Sequence, residues 1–451
     1  MTDATPREQW SGRTAFVLAT VASAVGLGNI WRFAYVAGEN GGGAFLLAYL
    51  AAVAILGLPL MLAEFALGRR ARADVVSAYA FEMRSPRWAW AGWLAVAAAL
   101  AILSYYAVIA GWAWRYFGTY LGSRLGGGAA GGGGEAVADQ FARFLASPQT
   151  VFWQLLVLAL ATAVVVAGVR NGIERVARIV MPLLAAVVIA LAAYGLTLGG
   201  AREGLAFLFA PDFAALARPQ VWLAAFGQAF FSLGVGVGTL ATYGSYAPGE
   251  ARLARSALLV AGLDTGFALT AGLAIFPAVF AFGLDPAQGP ALAFVTLPQV
   301  FTVMPGGAWV GLAFFALLAF AALSPTIALI EVVVSALMKA RGWSRRRTAL
   351  VVSAMAFVAG VPSALSGGAL QAWRPFGVGV LEAVDRFASN LLLPASGLCA
   401  ALAVGWAWPR VRAFEAATLT QGLHARAWRG MLRWVVPAVL AAVFAGSVLI
   451  G

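Results

Sequence analysis

Ser23-Ala24-Val25-Gly26-Leu27-Gly28-Asn29 and Ser232-Leu233-Gly234-Val235-Gly236-Val237-Gly238 lie inside two long apolar runs, and each interrupts its run with glycine. Glycine weakens a helix interior by roughly 1 kcal/mol relative to alanine. In lipid, the backbone groups that a broken helix frees must be satisfied within the protein. The two stretches sit five apolar spans apart. Glycine-interrupted helices in corresponding positions of two halves mark an inverted repeat, with a binding site where both helices break. Close packing of helices through small residues would use the same glycines. Gly28 followed by Asn29 favours the first reading, because an asparagine in mid-membrane needs a polar partner. Half-helix N-termini favour an anionic group, and half-helix C-termini with bare carbonyls favour a cation. A pocket between two such breaks suits sodium beside a carboxylate.

Outward from these stretches the whole chain reads as lipid-embedded. Its 451 residues are 62% hydrophobic and 11% charged, with mean hydropathy +0.87, against roughly 45–50% apolar and about 25% charged in soluble domains. A bilayer crossing needs about 20 apolar residues. On that rule spans fall at 14–36, 43–68, 89–117, 151–169, 176–198, 222–246, 257–282, 309–338, 349–366, 376–408 and 431–450. The expected fold class is therefore an all-α polytopic membrane protein of eleven helices in one domain, 1–451. Helices 1 and 6 are broken within a 5+5 inverted repeat (14–198 and 222–408), and 431–450 is an extra helix. Gly126 to Gly134 is a run of glycine and alanine that reads as a flexible external loop. Cys399 and His424 are single of their kind, which excludes a cysteine-ligated cluster, a bis-histidine haem and a disulfide framework within the chain. Met1 to Arg13 reads as a retained tail rather than a cleaved leader.

The net charge of +12 raises nucleic acid as a partner, but the distribution of basic residues argues otherwise. With the N-terminus cytoplasmic, 22 of the 30 Lys and Arg fall at cytoplasmic loops and helix ends. By the positive-inside rule this sets the orientation, with the C-terminus outside. The densest cluster, Lys339, Arg341, Arg345, Arg346 and Arg347, reads as a topology anchor touching anionic lipid. Arg32, Glu64, Asp264, Glu331, Glu382, Asp385 and Arg386 fall within spans, where each charge costs at least about 2.5 kcal/mol unless paired or hydrated. Arg32 and Asp385 both lie near outer helix ends. They either pair across an entry path or snorkel separately to the interface.

Eight segments in chain order carry a family resemblance: Ser23 to Phe33 (SAVGLGNIWRF), Glu39 to Phe45 (ENGGGAF), Gly57 to Arg69 (GLPLMLAEFALGR), Tyr105-Tyr106, Gly227 to Phe231 (GQAFF), Thr242 to Tyr246 (TYGSY), Gly272 to Pro277 (GLAIFP) and Ser389 to Pro394 (SNLLLP). Each is short, but the ordered set spans nearly the whole chain. On these residues the chain resembles the neurotransmitter:sodium symporters of the bacterial amino-acid type, and its eleven spans are similar to a subgroup lacking the last helix.

The resemblance implies a first sodium site from the Ala24 carbonyl, Asn29, Ser232, Asp264 and the substrate carboxylate. It implies a second from the carbonyls of Ala22, Val25 and Ala321 with the Ser324 hydroxyl. Oxygen ligands suit a hard cation. The family usually places a second hydroxyl after Ser324, whereas this chain has Pro325, leaving Thr326 or water to substitute. Many relatives carry a neutral amide where Asp264 stands, and animal members add chloride nearby. A carboxylate supplies that charge directly, so chloride independence is expected, with proton uptake at Asp264 when the site empties. By the same resemblance Ala24, Gly26, Gly28, Ile102, Tyr106, Phe231, Ser232, Gly234, Val237, Pro325 and Leu329 bind the substrate. Tyr106 bonds its carboxylate and closes the outer lid with Phe231. Gly26 stands where monoamine-carrying relatives place an aspartate. Gly234 and Val237 are smaller than their counterparts in a leucine-carrying member and leave room for tryptophan, phenylalanine or tyrosine, with leucine still open.

Outside, Arg32 and Asp385 match the family's gating pair. Inside, Arg7 and Trp10 match its cytoplasmic latch, but the acidic partner position is Lys339. The latch then turns to Glu8 or Asp74, or to Trp10 packing alone, and the inward-open state gains population. Gly172 and Pro182, at the cytoplasmic start of span five, have the spacing that in this family marks an unwinding segment; an ordinary helix start with a proline kink fits equally. Glu64 would satisfy freed backbone in the breaks. The expected protein is a sodium-coupled symporter in a bacterial inner membrane, importing a neutral, bulky hydrophobic or aromatic L-amino acid by alternating access. Na+, in two sites, is the only cofactor expected, and lipid rather than nucleic acid the other partner. Oligomeric state is left open. The alternative is an uncoupled or ligand-sensing protein on the same fold; no nucleophile with a base suggests an enzyme.

Overall fold

Hydropathy and length set the helices, and the glycine-rich stretches set where they stop. A computed structural model describes residues 8–126, 137–249, 251–287, 292–419 and 422–450. Among these residues the regular structure is helical. The first span is a bent pair, α1 (Arg13–Ala24) and α2 (Gly28–Glu39), turned by 53° at the break. There follow α3 (Gly43–Ala71), the short α4 (Val75–Glu82), α5 (Pro86–Leu125), α6 (Gln149–Val166) and α7 (Val169–Gly195). The sixth span is again in two pieces, α8 (Pro219–Leu233) and α9 (Thr239–Ser245). The remaining spans are α10 (Leu253–Ala281), α11 (Gly307–Arg341), α12 (Arg345–Ala364), α13 (Val380–Ala407) and α14 (Leu423–Gly446). Nine described helices are long and apolar enough to cross a bilayer unbroken. With the bent first span they make ten, and α8 with α9 occupies the place of the sixth span read from the sequence.

The two breaks differ in construction. After α1, Val25 is simply extended (φ −71°, ψ 114°), which ends the i to i+4 ladder and frees the last carbonyls of the helix. Between α8 and α9, Gly234, Gly236 and Gly238 all adopt left-handed backbone (φ 62°, 83° and 75°), a conformation costing other residues roughly 1–2 kcal/mol each. A side chain at Gly236 would also meet the Leu393 carbonyl. The Gly236 amide is tied down by Glu64 on α3, whose Oε1 accepts it at 2.7 Å. That is the backbone-satisfying role the sequence suggested for Glu64.

The broken helices sit at the centre. α1 packs on α7, α10 and α11, α9 lies on α3, and α11 makes its broadest contact with α5. α14 faces outward and buries little of its apolar surface.

One expectation is revised, one gains detail and one falls outside the described residues. The loop after α3 contains a helix, α4, begun by Asp74, whose Oδ1 accepts from Val76 N and Ser77 N at 3.0 Å. Asp74 is thus a helix cap and not part of a latch. Glu382 and Arg386, read as intramembrane charges, form a half-exposed i,i+4 pair at 2.7 Å at the outer start of α13, where a pair is worth about 0.3–0.5 kcal/mol. Of the Gly126–Gly134 run, only Gly126 is described, closing the helix that begins at Ala89; the rest lies outside the described residues.

Candidate functional site

Where both spans break, the chain encloses a cavity. Its walls are Ser23, Ala24, Gly26, Gly28, Ile102, Tyr106, Phe230, Phe231, Gly234, Val237, Thr239, Pro325, Ala328, Leu329 and Leu393. Ten of the eleven residues singled out from sequence for the substrate are among them. Ser232 is the exception: it sits behind the wall, within the oxygen cluster described below. Gly26 is required for packing, because a Cβ there would lie 2.6 Å from Pro325 Cγ and 2.8 Å from the Tyr106 hydroxyl. The Leu27 amide donates to that hydroxyl at 3.3 Å, so the phenolic hydrogen of Tyr106 remains free for an acceptor in the cavity. The rings of Tyr106 and Phe231 lie 6.5 Å apart, centre to centre.

Behind the cavity α2, α8 and α10 bring one carboxylate, one amide and one hydroxyl together. Asn29 Nδ2 donates to Asp264 Oδ1 at 2.8 Å, to the Asp264 carbonyl at 3.1 Å and to Ser232 Oγ at 3.1 Å. Ser232 Oγ donates to Asp264 Oδ2 at 2.7 Å. Asn29 Oδ1 accepts the Gly26 amide at 3.1 Å, which fastens the cluster to the break in the first span. All three side chains are fully buried. A lone buried carboxylate in lipid is costly, and oxygen donors around a single negative charge fit one hard monovalent cation.

A second, unpartnered oxygen lies on α11, the helix that packs on α1. The Ser324 hydroxyl on α11 is buried and without a hydrogen-bond partner, as a cation ligand would be. Thr326, the substitute that the sequence allowed, donates its hydroxyl to Ala322 O in its own helix at 2.8 Å.

Comparison with known proteins decides what kind of molecule carries this site. The model of the sodium:neurotransmitter symporter family matches residues 7–129 and 138–450. The chain belongs to that family. An uncharacterised sodium-dependent transporter of Bacillus subtilis is 38% identical over 97% of this chain and 96% of its own, and one of Methanocaldococcus jannaschii is 34% identical over 97% and 89%. The crystal structure of MhsT in complex with L-phenylalanine superposes with TM-score 0.91 at 47% identity, covering 98% of this chain and 100% of that one. A bovine sodium- and chloride-dependent creatine transporter is 28% identical over 69% of this chain and 57% of its own. The family and the fold make the protein a multi-pass membrane transporter and not an enzyme.

The symporter's outer gate differs from the expected ion pair. Arg32 donates to the Gly227 carbonyl and to Gln228 Oε1, both at 3.3 Å, and its guanidinium lies 4.7 Å from the centre of the Phe231 ring. Asp385 accepts from Ser389 Oγ at 3.0 Å. Among the described residues Arg32 and Asp385 make no direct salt bridge.

The inner latch joins Trp10 and Glu8, which the sequence offered for it, to Arg345, which the sequence had assigned elsewhere. Arg7 lies outside the described residues. Trp10 is buried, its indole N–H donating to the Tyr243 carbonyl at 3.0 Å and its amide to the Tyr246 carbonyl at 3.0 Å. Arg345, read as part of a lipid-facing anchor, turns inward to bind Glu331 at 2.5 Å and Glu8 at 2.9 Å. Tyr246 donates to the other oxygen of Glu331 at 2.6 Å. Lys339 is exposed, so the repulsion expected at its position is relieved by solvent. Glu8, one of the acids the sequence offered, is paired with Arg345.

Next to this latch, Gly172 lies in a π-helical turn, Val169–Glu174, and Pro182 inside the α-helix Arg175–Gly195. The segment is helical here, with Glu174 accepting from the Ser11 amide at 2.9 Å.

Proposed function

We propose that this symporter imports a neutral, bulky hydrophobic or aromatic L-amino acid, driven by sodium. The observation carrying the reading is the Asn29–Ser232–Asp264 cluster beside an otherwise apolar cavity that ends on the Tyr106 hydroxyl. A substrate carboxylate held by Tyr106 beside the first break adds an oxygen next to Asp264. Sodium bound there is then shared between protein and substrate. Each ligand tightens the other to the same degree. Ala22, Val25, Ala321 and Ser324 offer a second sodium position. Entry runs between Arg32 and Asp385 under the Phe231 lid. Release runs past Trp10, with Gly172 and Pro182 letting the start of α7 unwind.

Asp264 carries the negative charge that chloride would otherwise bring, so transport proceeds without chloride. When sodium leaves, Asp264 takes up a proton. The setting is a bacterial inner membrane, with the N-terminus cytoplasmic and the C-terminus outside. MhsT, crystallised with L-phenylalanine, supports an aromatic substrate.

The test is binding of radiolabelled tryptophan, leucine and alanine to purified protein in sodium and in potassium, with Asp264→Asn alongside. Saturable binding in sodium alone, weakened at least tenfold by the substitution, is expected. Equal binding in both salts would replace this reading by an uncoupled or sensing protein on the same fold. Uptake that falls severalfold when gluconate replaces chloride would remove the chloride-independent part.

A further inference from the structure

Three of the cavity's lining residues carry side-chain hydroxyls: Ser23, Tyr106 and Thr239. Ser23 Oγ is committed to the Thr20 carbonyl at 2.8 Å. Tyr106 stands at the break in the first span, where the Leu27 amide meets it. Thr239 is different. It is 4% exposed and lines the cavity, and among the described residues its hydroxyl makes no hydrogen bond with the protein. Such a hydroxyl, open to the cavity and not engaged by the protein, is left for whatever fills the cavity.

The position of Thr239 gives this hydroxyl a direction. A Cβ built on its neighbour Gly238 would touch Ala95 at 3.4 Å and Val75 at 3.3 Å. Ala95, Ile102 and Tyr106 lie on the same helix, α5. At 1.5 Å rise per residue, Ala95 is about 10 Å below Ile102 and about 16 Å below Tyr106 towards the cytoplasm. Thr239 therefore closes the inner end of the cavity, and Tyr106 its outer end. Between them the walls are apolar: Ile102, Val237, Pro325, Ala328 and Leu329.

A substrate whose carboxylate lies at Tyr106 thus runs its side chain along a hydrocarbon wall towards one free hydroxyl. The geometry points to Thr239 as the residue that reads the far end of the substrate, selecting aromatic side chains with a ring N–H or O–H over plain hydrocarbon ones. This deepens the amino-acid reading above and rests on it. A threonine hydroxyl both donates and accepts, so it accepts an indole N–H and exchanges either bond with a phenol. A phenyl or isobutyl group would bury the hydroxyl unpaired, and sites built to bond a substrate polar group discriminate in this way.

The experiment is equilibrium binding of tryptophan, tyrosine and phenylalanine in sodium to the wild type, Thr239→Val and Thr239→Ser. In the wild type, tryptophan and tyrosine bind about tenfold tighter than phenylalanine, the worth of one hydrogen bond in a buried site. Thr239→Val keeps the volume and removes the hydroxyl, so that advantage collapses while phenylalanine affinity stays within about threefold of wild type. Thr239→Ser keeps the preference. Equal affinity for the three amino acids in the wild type, or a preference that survives in Thr239→Val, overturns the assignment. Should Thr239→Val not fold, the wild-type ranking of tyrosine against phenylalanine decides alone. If none of the three binds in sodium, it is the amino-acid reading that has failed.

Discussion

Beside Trp10 Arg345 is held between Glu331 and Glu8 at 2.5 and 2.9 Å, while at the opposite gate Arg32 rests over the Phe231 ring at 4.7 Å and makes no direct salt bridge with Asp385. Both ends use one arginine, but they close with different chemistry. The inner one is a buried ion pair with the Glu331 side chain wholly enclosed, so removing Arg345 strands the Glu331 charge. The outer one is an aromatic ring with the Arg32 cation above it and no direct carboxylate contact among the described residues. In the orientation proposed above, such an asymmetry favours a resting protein sealed towards the cytoplasm and accessible from outside, the arrangement that lets external sodium and substrate arrive together.

The sharpest way to break the contrast is Arg345→Ala. Losing one member of a buried pair costs about 3 kcal/mol, so the inward-open population should rise roughly a hundredfold. Modification of a cysteine introduced along the inner path reads this directly, since native Cys399 is itself buried. An unchanged modification rate would mean that Trp10 packing alone seals the inside. At the outer end, Arg32→Ala removes a cation–π contact worth about 1–2 kcal/mol, and initial uptake should fall about tenfold with inner accessibility unaltered. A parallel rise in inner labelling would show the two gates to be one coupled device. The smallest effect belongs to Lys339→Asp. Exposed, and without an ion pair among the described residues, it should shift the same labelling by no more than about twofold, as surface charges do. Recovery of sodium-stabilised outward opening in this variant would bring Lys339, and Arg7 with it, back into the latch.

Much of the centre was legible in the sequence because it is local. Glycine at 234, 236 and 238 announces a break wherever the chain is apolar on both sides, and Asn29 and Asp264 each demand a partner in lipid, though it is the family resemblance that puts them together. The gates were less legible. Glu8 and Arg345 are 337 positions apart, and nothing in a basic cluster at a helix end distinguishes the one arginine that turns inward from its lipid-facing neighbours. Arg341 and Arg347 do lean on Trp343; only Arg345 has carboxylates within reach. Thr239 escaped attention for the opposite reason: it directly follows the glycines, and a hydroxyl acquires meaning only once the other polar groups of the cavity are seen to be engaged.

Pro325 lies inside α11, four residues after Ala321. Having no N–H, it offers the Ala321 carbonyl no i+4 donor, one helical turn before the buried Ser324 hydroxyl, which also lacks a partner. The residue that deletes a hydroxyl from this spot therefore uncovers a main-chain dipole beside it. A donor of that kind is insensitive to mutation at its own position, because every amino acid carries the same carbonyl. Control over it passes to position 325, where any residue but proline would restore the missing N–H and withdraw the oxygen into the helix.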